Sequence, residues 1–328
     1  MTSLPDPSTP LDEATAYQAF ADMLDGKPSE EAIEHFLTAL TEREETSIEI
    51  AAAASAMRER LIAIDAPARA IDVCGTGGDG QHTLNVSTAV SIVVASLGVP
   101  VAKHGNRAAS SKAGASDTLE ALGIDLDHAG EIAERSLADL GICFLHAANH
   151  HPAMKRITPI RKRIGKRTIF NLMGPISNPA RVTRQLIGIA RPDYVPVYTE
   201  ALRQLGAEGA MVVSGEEGLD ELSISGSSRI GSFGSVDVGE RVTPDDAGLD
   251  SFPIEDIRGG DPAFNAAALT RLFDGEEGGY RNAVLLNAAG ALIVAGRAGG
   301  WEHGVVQAAN AIDDGAAKDL LARWVAYR

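Results

Sequence analysis

Asp72-Val73-Cys74-Gly75-Thr76-Gly77-Gly78-Asp79-Gly80 places four glycines within six residues, directly after a short apolar run. Without Cβ atoms in the way, the backbone N–H groups of such a loop can approach phosphate oxygens closely. Gly75, Gly77 and Gly80 also satisfy the GxGxxG spacing of dinucleotide binders, so the loop alone leaves that reading open. Two features count against it. Polar Thr83-Leu84-Asn85-Val86-Ser87-Thr88 precedes the following helix and brings hydroxyls and an amide to its N-terminus. The next strand ends in Lys103-His104, where a dinucleotide binder would place an acid for the ribose hydroxyls. A P-loop is excluded, because Gln81 and His82 stand where Lys and Ser or Thr are required.

A second donor-rich segment follows. Lys103-His104-Gly105-Asn106-Arg107-Ala108-Ala109-Ser110-Ser111-Lys112 holds three cations, an amide and two hydroxyls in ten residues. Such a segment in isolation reads as a solvated surface turn. One strand after the glycine loop, at the carboxyl edge where α/β sheets bind ligands, it reads as a phosphate cradle. Asp220-Glu221 alone is a surface acidic pair, and Arg161-Lys162-Arg163 alone is the exposed C-terminal end of a helix meeting its dipole. His150 and His151 are followed at once by Pro152 and lack a third ligand at suitable spacing, which disfavours zinc. Cys74 reads as a small buried strand residue.

The elements that must position these residues follow from periodicity. Residues 11–66 read as three or four helices, broken at Gly26-Lys27-Pro28 and around Glu45-Thr46. Small residues cover every face of 50–57, which suits close packing against another helix or another subunit. From residue 70, short apolar strands alternate with amphipathic helices, the pattern of a mostly parallel sheet covered on both faces. Strands are expected at 70–74, 99–102, 142–145, 185–190 and 210–214, with helices ending at Gly98, Gly123, Gly141, Gly165 and Gly206. Residues 226–262 read as loops with short antiparallel strands, and 262–328 as helices with one apolar segment at 283–294. The expected architecture is α/β, a small helical domain at 1–68 joined by a helical stretch near 152–183, and a larger α/β domain at 69–328.

Composition sets the outer bounds. The chain has 328 residues and 45% hydrophobic content, enough for a sizeable core. Asp and Glu number 45 against 29 Lys and Arg, a formal charge of -16 that disfavours nucleic acid and anionic membranes as partners. Small molecules are the expected partners. Two cysteines without CxxC spacing, no secretory signal and no spanning segment make the cytoplasm the expected location.

The loop at 75–80 and the segment at 103–107 closely resemble the GTGGDG and KHGNR signatures of the anthranilate phosphoribosyltransferase family. The likeness continues in the family's order through His151-Pro152-Ala153-Met154-Lys155, Arg161-Lys162, Arg167-Thr168-Ile169-Phe170-Asn171, Gly174-Pro175, Asn178-Pro179 and Gly218-Leu219-Asp220-Glu221-Leu222. It covers nearly the whole chain, helical N-terminus included. The resemblance implies a fold like that of nucleoside phosphorylases and phosphoribosyltransferases. It also implies Mg2+-dependent transfer of a phosphoribosyl group from phosphoribosyl pyrophosphate to the amine of anthranilate, with release of pyrophosphate, in tryptophan biosynthesis.

Carried over by motif, the resemblance assigns the sugar diphosphate to Gly75, Gly78, Asp79, Thr83, Asn85, Val86, Ser87, Thr88, Lys103, His104, Gly105, Asn106, Arg107, Ser110, Ser111 and Ala115. Anthranilate falls to Gly75, Asn106 and Arg161. Two Mg2+ ions fall to Ser87 with Glu221 and to Asp220 with Glu221, and a homodimer through the helical domain is implied. The chemistry suits these residue types. Breaking the C1–O bond leaves positive charge on the ribose and negative charge on pyrophosphate, so positioning and charge stabilisation are the main demands, with Lys103 as an electrostatic group. Mg2+ prefers oxygen and keeps several waters, so a hydroxyl and two carboxylates suffice when the diphosphate supplies other ligands. Arg161 offers a planar fork to a planar carboxylate. A neutral aromatic amine is already nucleophilic, so no strong general base and no cysteine nucleophile is expected. His151 or His150 would serve local structure or present a ring to the acceptor.

One block departs from the family at three positions, 113, 115 and 116. Where KSGSAD is usual, Lys112-Ala113-Gly114-Ala115-Ser116-Asp117 puts Ala115 in place of a serine. One lost hydrogen bond costs about 0.5–1.5 kcal/mol, and Ser116 is the neighbouring hydroxyl that could compensate. Three other classes stay in view: a pyrimidine nucleoside phosphorylase using free phosphate without an acidic metal pair, a nicotinamide-dependent dehydrogenase resting on GxGxxG alone, and a non-catalytic sugar-phosphate-binding regulator.

Overall fold

Successive residues along the central strands face different cores, which is what a sheet covered on both faces requires. The computed structural model of the chain describes residues 2–107, 112–234 and 237–328. Its seven strands are β1 (Ile71–Gly75), β2 (Val101–Gly105), β3 (Ile142–His146), β4 (Arg184–Gly188), β5 (Gly209–Gly215), β6 (Ser228–Phe233) and β7 (Arg241–Val242). They lie in the order β3-β2-β1-β4-β5-β6-β7. The first five are parallel, and β6 and β7 add an antiparallel edge. The five expected strands are all present, though the second runs from Val101 through Lys103 and His104 rather than stopping before them. Pairing with β3 carries it on to Gly105, opposite His146.

On β4 and β5, Leu186, Met211 and Val213 face a core built with α4 (Val86–Ser96) and the helix Gly279–Val294. Ile187, Ala210 and Val212 face the other way, into a core shared with the N-terminal helices. Those helices are α1 (Glu13–Asp25), α2 (Glu30–Arg43) and α3 (Ser47–Arg58), capped by the side chains of Asp12, Ser29 and Thr46. The alanine-rich stretch of α3 is buried within the chain, against α1 and the helix Val195–Gln204. Of the two uses expected for it, an intramolecular helix contact is the one found. The apolar segment expected at 283–294 is the inner part of the buried helix Gly279–Val294. No described helix is long and apolar enough to cross a membrane.

The stretch between β3 and β4 packs with the N-terminal helices, since Ile157, Ile160, Ile169, Phe170 and Met173 join their core. It is also stitched to the carboxyl edge of the sheet by buried polar contacts. His104 Nδ1 donates to the Gly174 carbonyl at 2.8 Å, which leaves its Nε2 to accept from His151 Nε2 at 3.3 Å. Asn178 Nδ2 donates both to Asp72 Oδ2 and to the Ala102 carbonyl, each at 2.8 Å. Asp72 is fully buried, and its other oxygen accepts from the His104 N–H at 3.1 Å. The helix Met154–Ile164, which carries Arg161, is thereby held between two anchors on β1 and β2.

Burial pushes the His104 ring down to about 3 and the His151 ring down to about 4. Both stay neutral in the folded chain at pH values where the unfolded chain protonates them, near 6.5. The unfolded state then binds more protons, so stability is lost as pH falls from about 6.5 towards 4, by about 3 kcal/mol per ring at the limit. Urea unfolding midpoints across that window should fall with acid, and His104→Gln should flatten the slope. An unchanged slope would mean that the pair is charged in the folded chain.

Candidate active site

Gly75 and Gly188 close β1 and β4 in register with each other, and both are glycine because another segment lies directly upon them. A Cβ on Gly75 would sit 2.2 Å from Asp220 Oδ2, and one on Gly188 would sit 1.7 Å from the Asp220 carbonyl oxygen. The second contact is with backbone and cannot be relieved without moving the Asp220-Glu221 turn, whereas the first would turn the Asp220 carboxylate aside. There the Gly77 N–H donates to Asp220 Oδ2 at 2.6 Å. The glycine loop, with Gly77, Gly78 and Gly80 at positive φ, is further tied by Arg167 Nη1 donating to the Gly78 carbonyl at 3.3 Å.

The N-terminus of α4 opens beside this loop. The 82–84 segment before it is pinned from behind, by Leu84 N–H to the Ile257 carbonyl and Gly259 N–H to the His82 carbonyl, both 2.7 Å. Asn85, the N-cap, turns its Oδ1 outward to accept from Thr118 Oγ1 and from Asn265 Nδ2 at 2.9 Å. Lys103 is almost wholly buried, and its Nζ donates to the Val73 carbonyl at 2.9 Å and to Ser87 Oγ at 3.2 Å. The Ser87 N–H donates to the Glu221 carboxylate. Ser87 therefore stands between the lysine and the acidic pair. The Thr88 hydroxyl is buried without a partner.

Charge in this site is held against its preference for water. Burial, then Asp79, raises Asp220 to about 7. Burial, then Asp220, raises Glu221 well above the usual carboxylate range, and burial lowers Lys103. Asp79 Oδ2 is itself buried with no donor. Three carboxylates against one buried ammonium make a site that a hard cation would complete, and a hydroxyl with carboxylate oxygens is the donor set Mg2+ prefers. Among the described residues no three or more acidic, His or Cys side chains close around a metal position. The donor set thus fits an ion that takes its other ligands from substrate and water.

The remaining expected site residues divide. The run at 161–163 splits: Arg163 is exposed and pairs with Glu30 at 2.8 Å and Glu34 at 3.3 Å, whereas Arg161 is half-buried and burial alone lowers its pKa. The helix-end reading fits Lys162 and Arg163, not Arg161. Val86 turns its side chain into the core, and His104 is committed to Gly174 and His151. Arg107 is exposed, with its guanidinium on Asp117 at 3.0 Å and forked onto Glu120. Asn106 accepts from the Arg107 N–H at 2.9 Å. Ser110 and Ser111 lie outside the described residues. Ala115 opens α5 (Ala115–Ala121), and Ser116 is fully buried with its hydroxyl 2.9 Å from His146 Nδ1. Ser116 therefore does not replace the missing serine. Sequence reasoning missed Gly188, and it placed Arg167 and Asn178 in family blocks without a role; a glycine closing β4 opposite Gly75 was the one further readable signal.

A mostly parallel sheet, a helical unit packed on one of its faces and a glycine loop facing acidic residues are here combined in a chain that matches a glycosyltransferase family. Residues 67–318 match the glycosyl transferase family a/b domain, and residues 8–61 match the helical bundle domain of the same family. The anthranilate phosphoribosyltransferase of Novosphingobium aromaticivorans is 63% identical over 99% of both chains. The crystal structure of the Thermus thermophilus enzyme superposes with a TM-score of 0.89 at 40% identity, covering 97% of this chain and 96% of that one. The Saccharomyces cerevisiae enzyme in complex with phosphoribosyl pyrophosphate and Mg gives 0.86 at 26% identity, covering 96% and 93%. The chain belongs to the anthranilate phosphoribosyltransferase family of glycosyltransferase enzymes.

Gly188→Ala should leave the far-UV circular dichroism of the chain intact while displacing the Asp220-Glu221 turn. A displacement near 1 Å costs on the order of 100-fold in turnover. Turnover equal to that of the unmodified chain would show that this turn is not held where catalysis needs it.

Proposed function

We propose that the chain transfers phosphoribosyl from phosphoribosyl pyrophosphate to the amine of anthranilate, with Mg2+, and releases pyrophosphate. The observation that carries this reading is the meeting, at one sheet edge, of the glycine loop, the buried Lys103 and the uncompensated Asp220-Glu221 pair. Free N–H groups and hydroxyls at 75–88 receive the diphosphate, and the family motif assigns Asn106, Ser110 and Ser111 to it as well. Two Mg2+ ions, held by Ser87 with Glu221 and by Asp220 with Glu221, would supply positive charge against the leaving pyrophosphate.

In the reaction the C1–O bond breaks, pyrophosphate leaves with the electron pair, and the anthranilate nitrogen bonds to C1 and gives up a proton. Lys103, fixed on the Val73 carbonyl and Ser87, places its charge beneath the donor site. It cannot swing away without leaving its ammonium unpaired. Arg161, half-buried with no carboxylate acting on it among the described residues, is the fork that takes the anthranilate carboxylate. The buried His104-His151 pair stays neutral and serves structure rather than proton transfer. A homodimer in the cytoplasm completes the reading, through surfaces of the helical unit other than the buried alanine face of α3.

The test follows anthranilate fluorescence together with released pyrophosphate, with and without Mg2+. Stoichiometric, Mg2+-dependent loss of both substrates is expected. Mg2+-independent cleavage of a pyrimidine nucleoside by phosphate would favour a phosphorylase, and donor binding without turnover would favour a regulator. Arg161→Ala should raise KM for anthranilate by about 10- to 100-fold, the worth of a charged hydrogen bond, while KM for the donor stays put. Arg161→Lys should recover little of it, since an ammonium lacks the fork. An unaltered KM for anthranilate in Arg161→Ala would remove Arg161 from the acceptor site.

A further inference from the structure

We infer that Asn287, on the third turn of the helix Gly279–Val294, is the positioning residue that sets the Asp220-Glu221 carboxylates for metal. The inference rests on the Mg2+-dependent reading above. Its side chain is fully buried and imitates a neighbouring strand. Oδ1 accepts from the Leu222 N–H at 2.9 Å, and Nδ2 donates to the Leu222 carbonyl at 3.0 Å. The second hydrogen of Nδ2 goes to the Ala283 carbonyl of its own helix at 2.9 Å, which fixes the amide plane and its orientation.

The segment it grips needs such a grip. Residues 218–222 lie outside any strand or helix, so Leu222 has no ladder to satisfy its backbone. The leucines on either side of the acidic pair, Leu219 and Leu222, are buried. On the N-terminal side the turn is closed by the Gly215 N–H donating to the Leu219 carbonyl at 2.9 Å. On the C-terminal side the Asn287 fork does that work, one peptide bond from Glu221. Between these anchors sit the two acidic residues, with Asp220 Oδ2 held by the Gly77 N–H of the glycine loop. The helix is itself fixed against α4, whose N-terminus carries Ser87. Asn287 thus ties the acidic turn to the same body as the third oxygen ligand.

The test compares wild type, Asn287→Ala and Asn287→Asp as full-length chains. The primary readout is Mn2+ binding by electron paramagnetic resonance, in the presence of phosphoribosyl pyrophosphate and the absence of anthranilate. Asn287→Ala should weaken Mn2+ by about 10- to 100-fold, the range for losing a residue that orients metal ligands. The Mg2+ midpoint of turnover should move in parallel, with kcat recovering at high Mg2+ and KM for anthranilate within about twofold. Asn287→Asp keeps the shape and the acceptor for Leu222 N–H but puts an oxygen against its carbonyl. It should also weaken Mn2+, and it is the variant that decides if the alanine form does not fold. Wild-type Mn2+ affinity in a variant with lowered thermal stability would overturn the proposal and leave Asn287 a structural residue. Absence of Mn2+ binding by the wild type would overturn the metal reading and this inference with it.

Discussion

The site depends on a clearance at the carboxyl edge of the sheet. Three adjacent parallel strands, β2, β1 and β4, all end in glycine: Gly105, Gly75 and Gly188. At Gly188 the neighbour is the Asp220 backbone, at Gly75 the Asp220 carboxylate, and at Gly105 the Phe144 ring, 2.7 Å from where a Cβ would stand. These are limits of distance rather than of backbone angle. A methyl group at Gly188 would lift the acidic turn from the strand ends, and one at Gly75 would push aside the Asp220 carboxylate and with it the bond from Gly77. Crossover helices leave this edge open in any parallel sheet; here the glycines let one loop settle into the opening and face another.

Once that loop is seated, the electrostatics follow. Desolvation is the first cause of the shifts at Lys103, Asp220, Glu221 and Arg161, and in every case it acts against the charged form. A fold selected for stability alone would have paired these groups with one another. Asp72 shows what pairing looks like in the same chain, since its buried oxygens meet Asn178, the His104 N–H and the Cys74 thiol. The site groups have only neutral partners, Lys103 the Val73 carbonyl and Ser87, Asp220 the Gly77 N–H and Glu221 the Ser87 N–H, and under the proposed function the charged ones would arrive with the substrates and Mg2+. Preorganised, under-solvated charge of this kind is what stabilises charge that develops during reaction. The overall charge of -16 is no obstacle, because Lys103 is buried at the edge and Arg161 half-buried, away from the acidic surface.

Sequence was a good guide wherever the cause was local. Short apolar runs alternating with amphipathic helices located five strands to within two or three residues, and four glycines after the first of them marked the phosphate loop. The helical N-terminus was readable from its breaks at Gly26 and Glu45. What it did not disclose were contacts between residues far apart in the chain. Asn178 reaches Asp72 across 106 positions, and Arg167 reaches Gly78 across 89. Neither residue type nor spacing encodes those meetings. Arg107 illustrates the same limit from the other side. Its charge looked available in the basic segment, yet α5 folds back and offers Asp117 and Glu120 to it. The alanines of α3 were compatible with a subunit interface until the helix Val195–Gln204 was found against them.

Ala115 is where local geometry settles a question that residue identity left open. Serine is displaced by one position relative to the family pattern, and one step along a helix turns a side chain by about 100°. Ser116 consequently points away from Ala115's direction, into the chain, where His146 takes its hydroxyl and the Asn106 carbonyl takes its N–H at 3.3 Å. Both of its donors are in use. The exchange of Ser and Ala between neighbouring positions is therefore a true loss of one hydroxyl at Ala115, worth about 1 kcal/mol, and not a shift of the same group. The gain is on the other side: a contact that ties α5 to His146 at the end of β3. Under the proposed function, donor affinity would then rest more heavily on the glycine loop and the α4 N-terminus, where the fully buried Thr88 hydroxyl has no partner among the described residues.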